Sequence, residues 1–184
     1  MHFLITLLFM MTQATTIYDF NRNSKASDWI IVNDGVMGGL SYGNFSINQE
    51  GNGVFSGTIS LENNGGFSSV RYRFAPLATT AKSKVVLRIK GDGKSYQFRI
   101  KDQTSAYYSY ITTFATTGEW ETITIDLNSL YPSFRGRRIA APNYNSDSFE
   151  EIVFLVGNKK QESFRLPFWS CATCLQLCLR LTSP

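Results

Sequence analysis

Alternation of apolar and polar residues recurs along this chain from Ile17 onward and, more than any other feature, confines it to strands. Val70, Tyr72 and Phe74 alternate with Arg71 and Arg73, and Val85, Leu87 and Ile89 with Arg88 and Lys90. Tyr96, Phe98 and Ile100 oppose Gln97, Arg99 and Lys101; Ile123, Ile125 and Leu127 repeat the pattern after Trp120. Phe55, Ile59 and Leu61 share one face, and residues 152–156 form a short apolar run. Successive strand side chains point to opposite faces, so this pattern describes strands with one buried face. No segment carries a helical period. Glycine- and asparagine-rich turns separate the runs, and Gly91-Asp-Gly-Lys94, lying between two of them, predicts a hairpin. Residues 131–147 lack alternation and are expected to form a long functional or capping loop. About eight strands at this spacing predict an all-β fold, a jelly-roll β-sandwich.

Composition narrows the chemistry. At 184 residues the chain supports one domain with a sizeable core. An aromatic content of 14% and a net charge of +4 argue against disorder. The basic excess is too small and too scattered for a nucleic-acid partner. The single histidine is His2, which argues against a Ser-His-Asp triad, a Cys-His pair or a histidine-ligated zinc. Cys171, Cys174 and Cys178 have no fourth ligand beside them, so no metal and no cofactor are expected. A carboxylate-based hydrolase would need Asp34 paired with Asp92 or Asp102 at about 5–10 Å, and no spacing in the sequence supports that pairing.

Residues 3–11 are apolar but shorter than a membrane span of about 20 residues. Small residues follow, and residues 1–14 are read as a secretory signal, giving an exported mature chain without a transmembrane helix. A buried first strand is the alternative for this stretch.

Three motifs stand out as a ligand or partner surface. Asp34-Gly-Val-Met-Gly-Gly-Leu-Ser41 contributes Asp34, Met37, Gly38, Gly39 and Ser41, glycine allowing tight turns and close approach. Its plain alternative is a structural β-arch in which Asp34 and Ser41 cap backbone amides. Gly65-Gly-Phe-Ser-Ser-Val-Arg71 leads small residues into Arg71 and could floor a ligand site. Tyr131-Pro-Ser-Phe-Arg-Gly-Arg-Arg138 sets Arg135 and Arg137 among aromatics, suited to bidentate contact with carboxylate or phosphate or to anchoring a protein interface. Trp120 is read as core rather than as a sugar platform.

Asp34-Gly-Val-Met-Gly-Gly-Leu-Ser41, Gly66-Phe-Ser-Ser-Val-Arg71, Gly91-Asp-Gly-Lys-Ser-Tyr-Gln-Phe98, Trp120-Glu-Thr-Ile123 and Pro132-Ser-Phe-Arg-Gly136 occur in that order. Together they resemble the complex I intermediate-associated protein 30 family in its stand-alone bacterial form, from about Ile17 to Leu166. The resemblance implies a galactose-binding-like sandwich. It also implies kinship with mitochondrial factors that hold assembly intermediates of respiratory complex I. The expected domain is therefore 15–166. Beyond Leu166 the family's strand pattern is lost: Pro167 is expected to break the strand, and 167–184 reads as a divergent Cys/Leu-rich tail, as a shifted reading frame would leave.

The sequence thus predicts a non-enzymatic binding module. The leading reading is a chaperone-like scaffold for protein partners, respiratory-complex subunits among them; the alternative is an exported module for envelope glycan. Both leave room for peripheral association with a membrane.

Overall fold

The computed structural model describes residues 14–175; the leader reading, residues 1–14, lies outside the described residues except for Ala14, the first residue of β1. Thirteen strands and four short 3-10 turns make up the described chain, with no α-helix among them. The strands are Ala14–Asp19 (β1), Trp29–Asn33 (β2), Tyr42–Ile47 (β3), Gly53–Ile59 (β4), Ser68–Ala78 (β5), Ser83–Lys90 (β6) and Ser95–Lys101 (β7). Ser109–Ala115 (β8), Trp120–Asp126 (β9), Tyr131–Phe134 (β10), Arg137–Arg138 (β11), Ser148–Val156 (β12) and Glu162–Leu175 (β13) follow.

They form two antiparallel sheets. One runs β3-β4-β13-β6-β9 with β1 paired to β13; the other has seven strands in the order β11-β10-β8-β7-β12-β5-β2. The alternating residues fill the space between the sheets: Phe55, Leu87, Ile89, Phe98, Ile100 and Phe154 are all fully buried. Trp29 is stacked at 5.0 Å on Phe45 and 5.1 Å on Tyr72, giving the core an aromatic centre. The expected all-β sandwich is what the chain forms.

Three local expectations change. The Gly91–Lys94 segment is no hairpin: β6 pairs with β13 and β9, whereas β7 pairs with β12 and β8, so the chain crosses there from one sheet to the other. Asp92 ties the crossover, accepting from Lys94, Tyr96 and the Arg165 amide. Residues 131–147 hold β10 and β11 as well as the buried Tyr144, so the segment is partly sheet.

The third change concerns Pro167, which does not end its strand. β13 runs on to Leu175, pairing first with β4 through Phe168 and from Phe168 with β6. The Arg165 amide points away from β4, donating to Asp92 Oδ2 at 2.9 Å. Two residues on, the Pro167 nitrogen faces the same way, where the ladder with β6 has not yet begun, so its missing N–H interrupts no ladder bond. A bulge between Phe168 and Ser170 then shifts the buried phase from Phe164, Leu166 and Phe168 to Cys171 and Thr173. That one-residue slip hides the alternation in the sequence.

Cys171 lies in this second half, 2% exposed, and burial pushes its thiol pKa upward. A buried, protonated thiol is a poor nucleophile. Iodoacetamide should therefore leave Cys171 unmodified in the native protein and alkylate it in urea, as read by peptide mass spectrometry. Alkylation at equal rates in both states would contradict this packing of β13.

Candidate functional site on the seven-stranded sheet

The first motif is used internally. Asp34 is 2% exposed and opens a 3-10 turn, Asp34–Met37, which ends at Gly38 with φ of 85°. Its Oδ1 accepts from the Ser41 amide at 3.0 Å, and its Oδ2 accepts from the amides of Gly66 at 2.6 Å and Phe67 at 3.2 Å. Burial raises the Asp34 pKa, but the Ser41, Gly66 and Phe67 hydrogen bonds outweigh it and hold the carboxyl below its ordinary value. A Cβ on Gly39 would run into the Asp34 carboxyl, and the Ser41 hydroxyl bonds both the carbonyl and the amide of Ser60. The motif is a clasp joining β2, β3, β4 and β5. The Met37 side chain lies outside the described residues.

A different set of residues meets on the outer face of the seven-stranded sheet. With Tyr96, Phe98 and Ile100 turned into the core, Gln97, Arg99 and Lys101 of β7 point outward. Strand register then builds rows across the sheet. Val153 of β12 stands between Arg71 and Arg99, Ile111 of β8 lies beyond Arg99, and Tyr131 of β10 lies beyond Ile111. Ile30 of β2 completes the row next to Arg71. Six strands at about 4.8 Å make this row about 24 Å long. A parallel row sets Glu151 between Arg73 and Lys101.

The face has an apolar floor under polar walls. Val153, Leu155 and Ile111 are 4%, 8% and 3% exposed although they point away from the core. Glu151 is fully buried among the arginines. Its Oε2 lies 2.7 Å from Arg73 Nε, while its Oε1 is 3.9 Å from Arg71 Nη1, beyond hydrogen-bond reach. That Oε1 and Arg71 Nε are both buried with no hydrogen-bond partner. Arg99 donates from Nε and Nη2 to Gln97 Oε1, at 3.1 and 2.6 Å. Burial pulls its pKa below the ordinary guanidinium value; Tyr131 opposes this and the Arg71 charge adds to it. At the far edge Arg138 lies over the Tyr131 ring at 5.1 Å and donates to Asn143.

Of the residues picked from the sequence, Arg71 alone stands in this row. Arg135 and Gly136 form the tip of the β10–β11 hairpin, both at positive φ as a type I′ turn requires. Arg135 lies 5.3 Å over Phe134, and Arg137 pairs with Phe134 on the register opposite to Arg138. Arg73, Arg99 and Glu151 were missed as site residues, and Tyr131 and Arg138 were noticed only as ends of the motif around Arg135 and Arg137. The signal for Arg73 and Arg99 was their outward phase, but only the sheet order, with β12 between β5 and β7, shows that they converge.

Of the three aspartates, Asp34 and Asp92 are engaged as described, and Asp102 accepts from Ser146 and from Gln103. Trp120 is not core but half-buried on the other sheet, beside Trp169 at 6.2 Å, where Trp169 is 48% exposed. It lines an open hollow of about 350 Å³ with Asn52, Lys90 and Arg165.

Solved structures share this architecture. A family 11 carbohydrate-binding module from Clostridium thermocellum, in complex with a β-1,3-1,4-mixed-linked tetrasaccharide, superposes with a TM-score of 0.63 at 16% identity over 88% of this chain and 95% of that one. A family 29 module complexed with cellulohexaose gives 0.57 at 10% identity over 90% and 93%. An agarase gives 0.59 at 11% identity, covering 91% of this chain and 25% of the agarase. At these identities the likeness is one of fold. No curated protein sequence matches the chain. A family model, complex I intermediate-associated protein 30, matches residues 18–168, spanning the clasp, both sheets and the first half of β13. The chain belongs to the complex I intermediate-associated protein 30 family.

Proposed function

We propose that this domain is a non-catalytic binding module that takes a carbohydrate chain across the outer face of its seven-stranded sheet. The observation that carries the reading is the unpaired Glu151 Oε1 beside the unpaired Arg71 Nε in a sheltered strip. Buried polar atoms are almost always hydrogen-bonded, and an exception points to a missing partner. A sugar hydroxyl offers what each atom lacks, a donor to the carboxylate and an acceptor for the guanidinium. The Arg71 side chain lies over Glu151, 3.9 Å from its Oε1, and makes no hydrogen bond among the described residues. Val153 and Ile111, 4% and 3% exposed, would meet the apolar face of a sugar ring once the arginine side chains part, and Tyr131 offers a stacking surface at one end. A mostly apolar lining with a few convergent polar groups is the usual make-up of a ligand site. The likeness to modules solved with a mixed-linked tetrasaccharide and cellulohexaose supports the same reading. An exported chain meeting envelope glycan, as the leader reading expects, belongs with it.

Affinity electrophoresis tests this. In gels containing mixed-linked β-glucan, cellulose ethers, agarose or pectins, at least one polysaccharide should retard the protein. Arg71→Ala and Tyr131→Ala should each weaken that retardation by about tenfold or more while still melting cooperatively, the worth of a hydrogen bond to a charged group or a stacked ring; Arg71→Ala also lowers the melting temperature, because it takes a positive charge from beside the buried Glu151. Retardation by none, or by all variants alike, would refute it.

A second reading, the scaffold for protein partners, is favoured by the hairpin tip. Tyr107 is 67% exposed and Phe134 39%, their rings 5.4 Å apart, with Arg135 over Phe134. Arginine and aromatics grouped on an edge are the usual anchors of protein interfaces. Under this reading Arg135→Ala with Arg137→Ala abolishes crosslinking to complex I subunits in the native cells and leaves glycan retardation intact. Unchanged crosslinking of the folded double variant would exclude the hairpin as that interface.

A further inference from the structure

We propose that the carbohydrate accepted by this face is acidic, a uronate-bearing polysaccharide whose carboxylates are held by Arg71 and Arg99. This rests on the carbohydrate reading and adds the ligand's charge to it. The face is cationic beyond its own needs. Arg71, Arg73, Arg99, Lys101 and Arg138 point to it or rim it, and Glu151 is the carboxylate among them. Arg73 occupies one oxygen of Glu151 at 2.7 Å. Lys101 is spent on the Thr104 and Ala106 carbonyls. Glu150 is turned to the Thr104 amide. Arg99 has no acid partner among the described residues: its fork closes on the neutral Gln97 amide oxygen.

A half-buried guanidinium is commonly matched by a carboxylate, because the desolvated charge is otherwise uncompensated. Here Arg71 and Arg99 flank Val153 on either side, two strand spacings apart, about 9.6 Å. Each guanidinium can receive a carboxylate through two parallel hydrogen bonds, Arg99 by exchanging the neutral Gln97 oxygen for it. Between them lies Val153, 4% exposed, which a sugar ring would contact once the two arginine side chains part. This places two anion receptors on one line across the sheet, at a separation near that of alternate rings in an extended polysaccharide. The unpaired Glu151 Oε1 serves the hydroxyls of the intervening ring. It also disfavours a carboxylate at that point, so the charges are read at Arg71 and Arg99 rather than along the whole row.

The test is isothermal titration of the whole protein with polygalacturonate, with the same polymer fully methyl-esterified, with mixed-linked β-glucan and with polyglutamate. The expected result is binding of polygalacturonate about tenfold or more tighter than of the methyl ester, weakened by salt and lost in Arg99→Gln, the difference a charge-assisted bidentate pair supplies. Arg99→Lys, which keeps the charge and removes the fork, should recover only part. Equal affinity for acid and ester, or binding of β-glucan alone, overturns the acidic ligand and leaves the carbohydrate reading standing. Binding of no polysaccharide overturns both. Polyglutamate binding as tightly as polygalacturonate would show that the face reads charge without sugar. An acid preference that survives in folded Arg99→Gln would move the receptor off this face.

Discussion

Asp34→Ala should cost the domain about 3–5 kcal/mol, because the buried Ser41 amide and the part-buried amides of Gly66 and Phe67 lose their acceptor together, each worth about 1–3 kcal/mol when orphaned. Against a total stability of about 5–15 kcal/mol, that brings the fold close to its threshold. Asp34→Asn keeps the shape but turns an amide group toward amide donors, and should cost about 2 kcal/mol. The pH dependence carries the sign. Asp34 is held below its ordinary value of 3.8, so its contribution is fully present above that pH and is lost as pH falls from there through the lowered value of the folded state. Urea titrations at pH 7 and pH 3 should show the wild type losing more stability than Asp34→Asn over that interval. Equal losses would mean that the clasp does not depend on the charged carboxylate.

Ending the chain at Leu166 should abolish the cooperative melt. The truncation removes Phe168, whose ring lies 4.5 Å from Phe154 and stacks on Phe20 and Trp29, and it removes Cys171 from the core. It also strips β6 of its central neighbour and leaves β1 without a ladder. Two long unpaired edges invite aggregation as well as unfolding. Phe168→Ala alone should cost about 3–5 kcal/mol, the usual range for emptying such a site. A chain ending at Leu175 should melt as the full chain does. If the form ending at Leu166 melted cooperatively within a few degrees of it, the second half of β13 would be dispensable and the strand through Pro167 would be wrong.

How far the molecule could be read in advance follows from the range of the interactions involved. Alternation is local, so Tyr96, Phe98 and Ile100 announced both a strand and its buried face. Strand order is not local. Nothing in Gly91–Lys94 distinguishes a hairpin from a crossing between sheets, since both need the same turn chemistry; the difference lies in which strands β6 and β7 meet. Pro167 misled because its cost depends on which side of the strand its nitrogen faces. The bulge at Phe168–Ser170 erased the period that would have corrected it. The site divided along the same line. Arg71 was visible as an outward arginine after a glycine-rich turn, but Glu151 looked like an ordinary polar residue at the start of an apolar run. Its burial under Arg71 and Arg73 arises from β12 lying between β5 and β7. Asp34, the most conspicuous residue of the sequence motifs, proved to hold loops together, the plainer of its two readings.

If ligand lies across the seven-stranded sheet, backbone amide and arginine side-chain NMR during titration with oligogalacturonates and mixed-linked glucan oligosaccharides should show saturable shifts in β5, β7, β12 and β10. The Arg71 and Arg99 Nε–H resonances should move most, with the hairpin tip at Arg135 unmoved. Saturable shifts confined to the Trp120–Trp169 hollow or to the hairpin, with the Arg71 and Arg99 signals unchanged, would contradict that placement.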